Sequence, residues 1–161
     1  MNIEYDRRIK FCAKAIDKAT KKLKLQWGFA EDYQGVEIAI PTEVGDGQVI
    51  VLMDTGHGPR FPKFITLTVH GYVDYSVTKN IDICGGGLIR SKNKFLPDQI
   101  SEKWLKVAIS NAAKTVQAIC TTKNMAKLKK EALALRRQAV KDLKISPNQR
   151  TILTITSLSK P

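Results

Sequence analysis

FITLTVHGYVDYSVT, residues Phe64–Thr78, alternates with a period of two along its length. Ile65, Leu67, Val69, Val73, Tyr75 and Val77 fall on one side. Thr66, Thr68, His70, Tyr72, Asp74, Ser76 and Thr78 fall on the other. Successive side chains of a strand face opposite sides, so the run predicts a long strand with one apolar and one polar face. Gly71 in its middle marks a bend or bulge. The apolar face has to be covered, and the flanking segments supply the cover.

Upstream, Ile9, Cys12, Ile16, Ala19 and Leu23 recur at spacings of three and four and predict a helix over about residues 5–25. Arg7, Arg8, Lys10, Lys14, Lys18, Lys21, Lys22 and Lys24 occupy most of its remaining surface. Residues 26–35 read as a loop in which Trp27, Phe29 and Tyr33 anchor a lid over the sheet. Val36, Ile38 and Ile40 alternate up to Pro41, which limits further pairing. Gly45-Asp46-Gly47 is a turn signal before Gln48–Asp54, whose run Val49–Met53 is apolar on both faces and reads as an inner strand. Residues 55–62, with two glycines and two prolines, read as a loop.

Downstream, Lys79-Asn80 predicts a turn into a strand at Ile81–Cys84, which Gly85-Gly86-Gly87 ends or kinks. In Leu88–Leu96 the first residues fit a short strand, while SKNK reads as loop. Trp104, Leu105, Ala108, Ile109, Ala112, Val116 and Ile119 form the apolar face of a helix from about Gln99 to Cys120. The seam breaks at Thr121–Asn124 and resumes in a new phase as Met125, Leu128, Ala132, Leu135, Ala139 and Leu143, which predicts a second helix. Pro147 closes this region, and Thr151–Thr156 reads as an edge strand or a tail. The expectation is an α+β fold: one N-terminal helix, a mostly antiparallel sheet of four or five strands, and two C-terminal helices on one sheet face. Residues 1–146 would form a single compact domain, with 147–161 as edge strand or tail.

The bulk properties narrow the function classes. With 161 residues and 43% hydrophobic content, the chain can bury a core without staples and is not a disordered polymer. No window reaches the ~18 consecutive apolar residues of a membrane span. The charged start, MNIEYDRRIKFC, holds no apolar signal core, so the expected location is cytoplasmic. Cys12, Cys84 and Cys120 are far apart, without a Cys-x-x-Cys pair, and read as free thiols. The net charge of +12 is unevenly placed. Residues 1–25 carry +5, residues 26–96 carry −2, and residues 97–161 carry +9. The cationic excess belongs to the terminal helices.

Those helices are the leading candidate site. Lys127, Lys130, Arg137 and Lys141 fall opposite the Leu128/Leu135 stripe and form a positive ridge. With Arg7, Arg8, Lys14 and Lys21 on the first helix they suit a phosphate backbone, where each cation that meets a phosphate releases counterions. A solvated basic face would serve solubility alone. Two such helices in a chain of this charge favour an anionic partner. The Gly85–Lys92 stretch lacks phosphate-loop spacing and precedes no helix directly, so a bulge is the better reading. The polar strand face carries no Lys or Arg before Lys79 and does not read as an RNA-binding sheet. His57 and His70, with Asp54 and Asp74, would be the residues of a hydrolase or nuclease, but no metal or nucleophile motif accompanies them.

VEIAIPTEVGDGQVIVL (Val36–Leu52), followed by Leu67-Thr68, resembles the strand opening of small bacterial and phage domains. That resemblance ends after Thr68 and implies no residue role. The expected function is a small non-enzymatic protein that binds nucleic acid, DNA or RNA, through its basic helices, with no cofactor and no membrane. The alternative is a protein-interaction or assembly component, of the kind phages and mobile elements encode, that docks on an acidic protein. In that reading the polar sheet face or edge strand would self-associate.

Overall fold

The computed structural model describes residues 3–30, 35–55 and 63–155, and of residues 3–11 the backbone alone. In chain order the elements are α1 (Ile3–Lys22), β1 (Trp27–Phe29), β2 (Gly35–Ile40), β3 (Asp46–Asp54), β4 (Ile65–Thr78), β5 (Ile81–Phe95), α2 (Glu102–Ile119), α3 (Thr122–Leu143) and β6 (Thr151–Thr154). The strands make one six-stranded sheet in the order β1-β2-β3-β4-β5-β6. The first five form an antiparallel meander, and β6 joins β5 in parallel after the crossover through α2 and α3. This is the expected α+β architecture with six strands rather than four or five. Among the described residues no helix is long and apolar enough to cross a membrane.

Two segments explain the difference in strand count. Trp27–Phe29, expected in a loop, is a short edge strand beside β2, and its aromatic rings meet edge to face at 5.3 Å. Tyr33 lies outside the described residues. β6 is a strand rather than a tail, although only Thr151 within it is buried.

β4 is central, as its alternation requires. Ile65, Leu67, Val69 and Val73 are buried on the face that α2 covers. Val36, Ile38, Val49, Val51 and Ile83 extend that face across the neighbouring strands. From α2 come Leu105, Ile109, Ala112, Val116 and Ile119, all fully buried. Ser101 caps this helix, its hydroxyl accepting from the Trp104 amide at 3.1 Å. Close approach of α2 to the sheet rests on Gly47 and Gly71. A Cβ on Gly71 would come within 2.8 Å of the Val116 side chain and 3.4 Å of the Ala112 carbonyl. On Gly47 it would overlap Val116 as well.

Gly71 also sits between two register shifts. Val69 pairs with Ser91, Gly71 with Leu88, and Val73 with Gly85. The single residue His70 therefore faces both Ile89 and Arg90, and Tyr72 faces both Gly86 and Gly87. These are two successive bulges, which sharpen the twist and re-aim the side chains around them. The glycine run kinks β5 without ending it, and the strand continues to Phe95.

α2 and α3 are separate helices, as the phase change requires. Thr121 caps α3 by accepting from the Asn124 amide at 3.2 Å. Only the first half of the α3 seam is covered: Met125 and Ala132 are buried, whereas Leu135 and Leu143 are 40% and 72% exposed. The second half is held instead by Arg136. Its guanidinium donates to the Thr151 hydroxyl at 2.9 Å, to the Pro147 carbonyl at 2.8 Å, and to the Gln149 carbonyl. Arg150 pairs with buried Asp82 of β5, and the Thr151 amide donates to the Asn80 carbonyl at 2.8 Å. Two arginines thus fasten β6 to the sheet.

Gly71→Ala should destabilise the protein by about 1–3 kcal/mol, the usual cost of overpacking a filled core. Adding Val116→Ala should recover part of that loss, so urea titrations of both single variants and the double variant should be non-additive. Equal and additive losses would show that Val116 is not what the new methyl meets. Arg136→Ala should cost about 1 kcal/mol, the net worth of hydrogen bonds whose exposed carbonyl acceptors water can take over. Hydrogen exchange should speed up at Thr151–Thr154, and Arg136→Lys should restore little because an ammonium cannot fork between these acceptors.

Candidate functional site

The α3 ridge is present. Residues that recur at three, four and seven along a helix share a face, and Lys127, Lys130, Arg137 and Lys141 lie opposite buried Met125 and Ala132. All four are exposed, and among the described residues no carboxylate pairs with them. From Lys127 to Lys141 the ridge runs about 21 Å at the helical rise. At its start, Lys123, Lys127 and Lys130 line a shallow groove of about 360 Å³ with Thr121, Asn124 and Ala126. The positive end of the helix dipole is already answered from within the chain. Glu43 accepts from the Thr122 amide at 3.0 Å and from its hydroxyl at 3.2 Å. The ridge therefore attracts anions through its side chains alone.

α1 is different. Lys21 pairs with Asp17 at 2.8 Å, and its hydrogen bond is the main reason that the Asp17 carboxyl titrates below its ordinary value. Lys22 and Lys18 both turn to Glu102 at the start of α2, and the Lys22 hydrogen bond leads in lowering the Glu102 pKa. Lys14 is exposed, but the groove beside it also holds Asp98 and Glu102. The side chains of Arg7 and Arg8 lie outside the described residues. α1 packs on α2, whereas α3 packs against β5 and β6.

A second basic surface was hidden in the sequence. β5 continues through SKNK, and its register places Lys94 opposite Thr66 and Lys92 opposite Thr68. Directly opposed residues in an antiparallel pair share a face. Arg90, Lys92 and Lys94 therefore stand in a row on the outer, helix-free side of the sheet beside Thr66, Thr68 and His70. All three cations are exposed, and the Lys94 ammonium sits 4.4 Å from the Phe64 ring centroid. The polar sheet face, read as poor in cations, has its own strip of them. Alternation at 90, 92 and 94 was the available signal; four polar residues in a row, Ser91–Lys94, masked it as loop.

His70 occupies this face but is only 8% exposed, and its Nδ1 has no hydrogen-bond partner among the described residues. Burial foremost, and then the Arg90 charge, lower its pKa, which favours the neutral ring. The acid–base cluster proposed around it does not assemble. Asp54 pairs with Thr66 at one end of β4 and Asp74 with Asp46 at the other, about 27 Å apart at the strand rise. His57 lies outside the described residues. No group of three or more His, Cys, Asp or Glu side chains suited to a metal occurs among the described residues.

The cysteines are poorly suited to nucleophilic work. Burial pushes the Cys12 thiol up to about 12 and, with Asp46 adding to it, the Cys120 thiol up to about 11. A raised thiol pKa keeps the group protonated, and the thiolate is the reactive form. Cys84 is half-buried on the outer face. Near pH 8 an aromatic disulfide reagent should label Cys84 first, and Cys12 and Cys120 should react only after unfolding in guanidinium. Rapid labelling of all three in the native protein would contradict the burial described. Compared with protein-family models, curated proteins and solved structures, the chain matches none.

Proposed function

We propose that the protein is a non-enzymatic nucleic-acid-binding protein whose principal phosphate contact is the outer ridge of α3. The observation that carries this reading is the set Lys127, Lys130, Arg137 and Lys141, exposed on one helix face and in ion pairs with no carboxylate among the described residues. Cations already paired within a chain would have to exchange one partner for another on binding phosphate. Unpaired ones gain the counterion-release free energy directly. By this criterion Lys21 of α1, already paired with Asp17, plays a smaller part.

A helix presented to phosphates positions a protein without reading bases, so binding through α3 is expected to be indifferent to duplex sequence. The alternative, docking on an acidic protein, draws on a different observation. Val140, three residues after Arg137 on the same helix, is 46% exposed, so an acidic amphipathic partner would find apolar surface beside the cations.

Anisotropy titrations of a labelled blunt duplex at several salt concentrations separate the two readings. Log affinity should fall linearly with log salt, with a slope of about −0.9 for each phosphate engaged. The Lys127→Glu/Lys130→Glu/Arg137→Glu/Lys141→Glu variant should flatten that slope and abolish most of the binding. Wild-type protein that ignores the duplex even at low salt would sink the α3 proposal and leave the acidic-protein reading.

A further inference from the structure

We infer that the outer face of β4 and β5 is a second nucleic-acid site, selective for single strands, in which Arg90, Lys92 and Lys94 hold successive phosphates and His70 with Tyr72 receives a base. It builds on the reading of the protein as a nucleic-acid binder but uses a surface separate from α3. β6 pairs only with Ile81–Cys84, so the second half of β5 has β4 on one side and no strand on the other among the described residues. Alternate residues of a strand are about 6.7 Å apart. Arg90, Lys92 and Lys94 therefore form an evenly spaced row on an open border, where an extended backbone can lie alongside.

Charge on an unpaired strand also keeps a second chain from adding there. That role needs no particular residues opposite the cations and no strain. Here the row faces the hydroxyls of Thr66 and Thr68 and ends at His70, whose Nδ1 is enclosed and without a partner among the described residues. A buried polar nitrogen left unbonded is costly, and a ring that turns to meet a base recovers that cost. Beside it Ile89, a β-branched residue, is held at φ 49°, in the left-handed region. Such a conformation is unfavourable for an L-residue. Strain of this kind persists where the surrounding structure enforces it, and it gathers at binding sites.

The chemistry favours a single strand over a duplex. Neutral imidazole offers an acceptor or a donor to a base edge, and the Tyr72 ring, lying against Gly86, offers an aromatic surface. Splayed bases of a single strand reach such groups between phosphates, whereas a duplex keeps its bases stacked inside and would gain only the cations. Phe64, 37% exposed at the far end of the row, adds a second ring.

The test compares labelled oligo(dT) with a duplex of equal length on the wild type, on Arg90→Thr/Lys92→Thr/Lys94→Thr, and on the α3 charge-reversal variant. Threonine keeps strand propensity, and thermal melts confirm folding. The sheet variant should lose about tenfold or more in oligo(dT) affinity while duplex affinity changes little. The α3 variant should lose the duplex first. Because the chain has two histidines, a His57→Gln variant assigns the imidazole NMR signals, and that of His70 should shift with oligo(dT) and stay put with duplex. Undiminished oligo(dT) binding by the sheet variant, or an unmoved His70 signal at saturation, would overturn the inference. Wild type that binds duplex but not oligo(dT) would overturn it too, leaving the α3 reading intact. Oligo(dT) binding without duplex binding would do the reverse.

Discussion

The approach of α2 to the middle of the sheet governs the rest of this structure. Val116 presses against β3 and β4 where Gly47 and Gly71 leave out their side chains, and Ala112 follows one turn earlier. With α2 seated this low, the apolar residues of four strands are covered by one helix and by the partners it carries on either flank. α1 packs on α2, and α3 packs against β5 and β6. No described helix is left for the other side of the sheet. That side stays polar because it has to, and Thr66, Thr68 and Tyr72 meet the requirement.

Gly71 connects this packing to the outer face. The same residue that admits Val116 stands between the two bulges of β4 and β5. Each bulge sets two residues of β5 against one of β4, and the outer-face residues caught in this way are His70 and Tyr72. A core constraint on one side of the sheet thus coincides with a departure from regular pairing on the other. It also divides β5. Its first half is locked between β4 and β6 and holds buried Asp82, paired with Arg150. Its second half is open along one border and carries cations at alternate positions.

Much of the fold was legible because it follows from periodicity. The alternation of Phe64–Thr78 placed β4 at the centre, the doubly apolar run before Asp54 placed β3 inside, and the break at Thr121 separated α2 from α3. What escaped lacked a periodic signal or carried one that was diluted. Trp27–Phe29 is too short to show alternation, and pairing with β2 makes it a strand. β5 is interrupted by two bulges between Gly85 and Ser91, so Leu88 stands out of phase with the alternation on either side of it. Once SKNK is read as loop, its lysines become solvent charge. The block average conceals them further, since residues 26–96 sum to −2 although Arg90, Lys92 and Lys94 stand together. The α3 ridge was legible because a helix face depends only on spacing. That Leu135 and Leu143 stay uncovered was not, because it depends on where the sheet ends.

Net charge by itself therefore says little about which surface can engage an anion; internal pairing decides it. α1 is as rich in lysine as α3, yet Asp17 and Glu102 engage Lys18, Lys21 and Lys22. Exposed pairs of this kind contribute little to stability, so they matter little to the fold. They matter more to recognition, because each one already satisfies a cation that a phosphate would otherwise gain by neutralising. Two surfaces with cations that have no ion-pair partner among the described residues, the α3 ridge and the open half of β5, are both mounted on the same strand, since α3 rests on β5. Their chemistry differs. Helical spacing presents point charges to a rigid backbone, whereas the strand adds an imidazole and aromatic rings between its charges. Of the two, only the strand surface has groups that can contact a base.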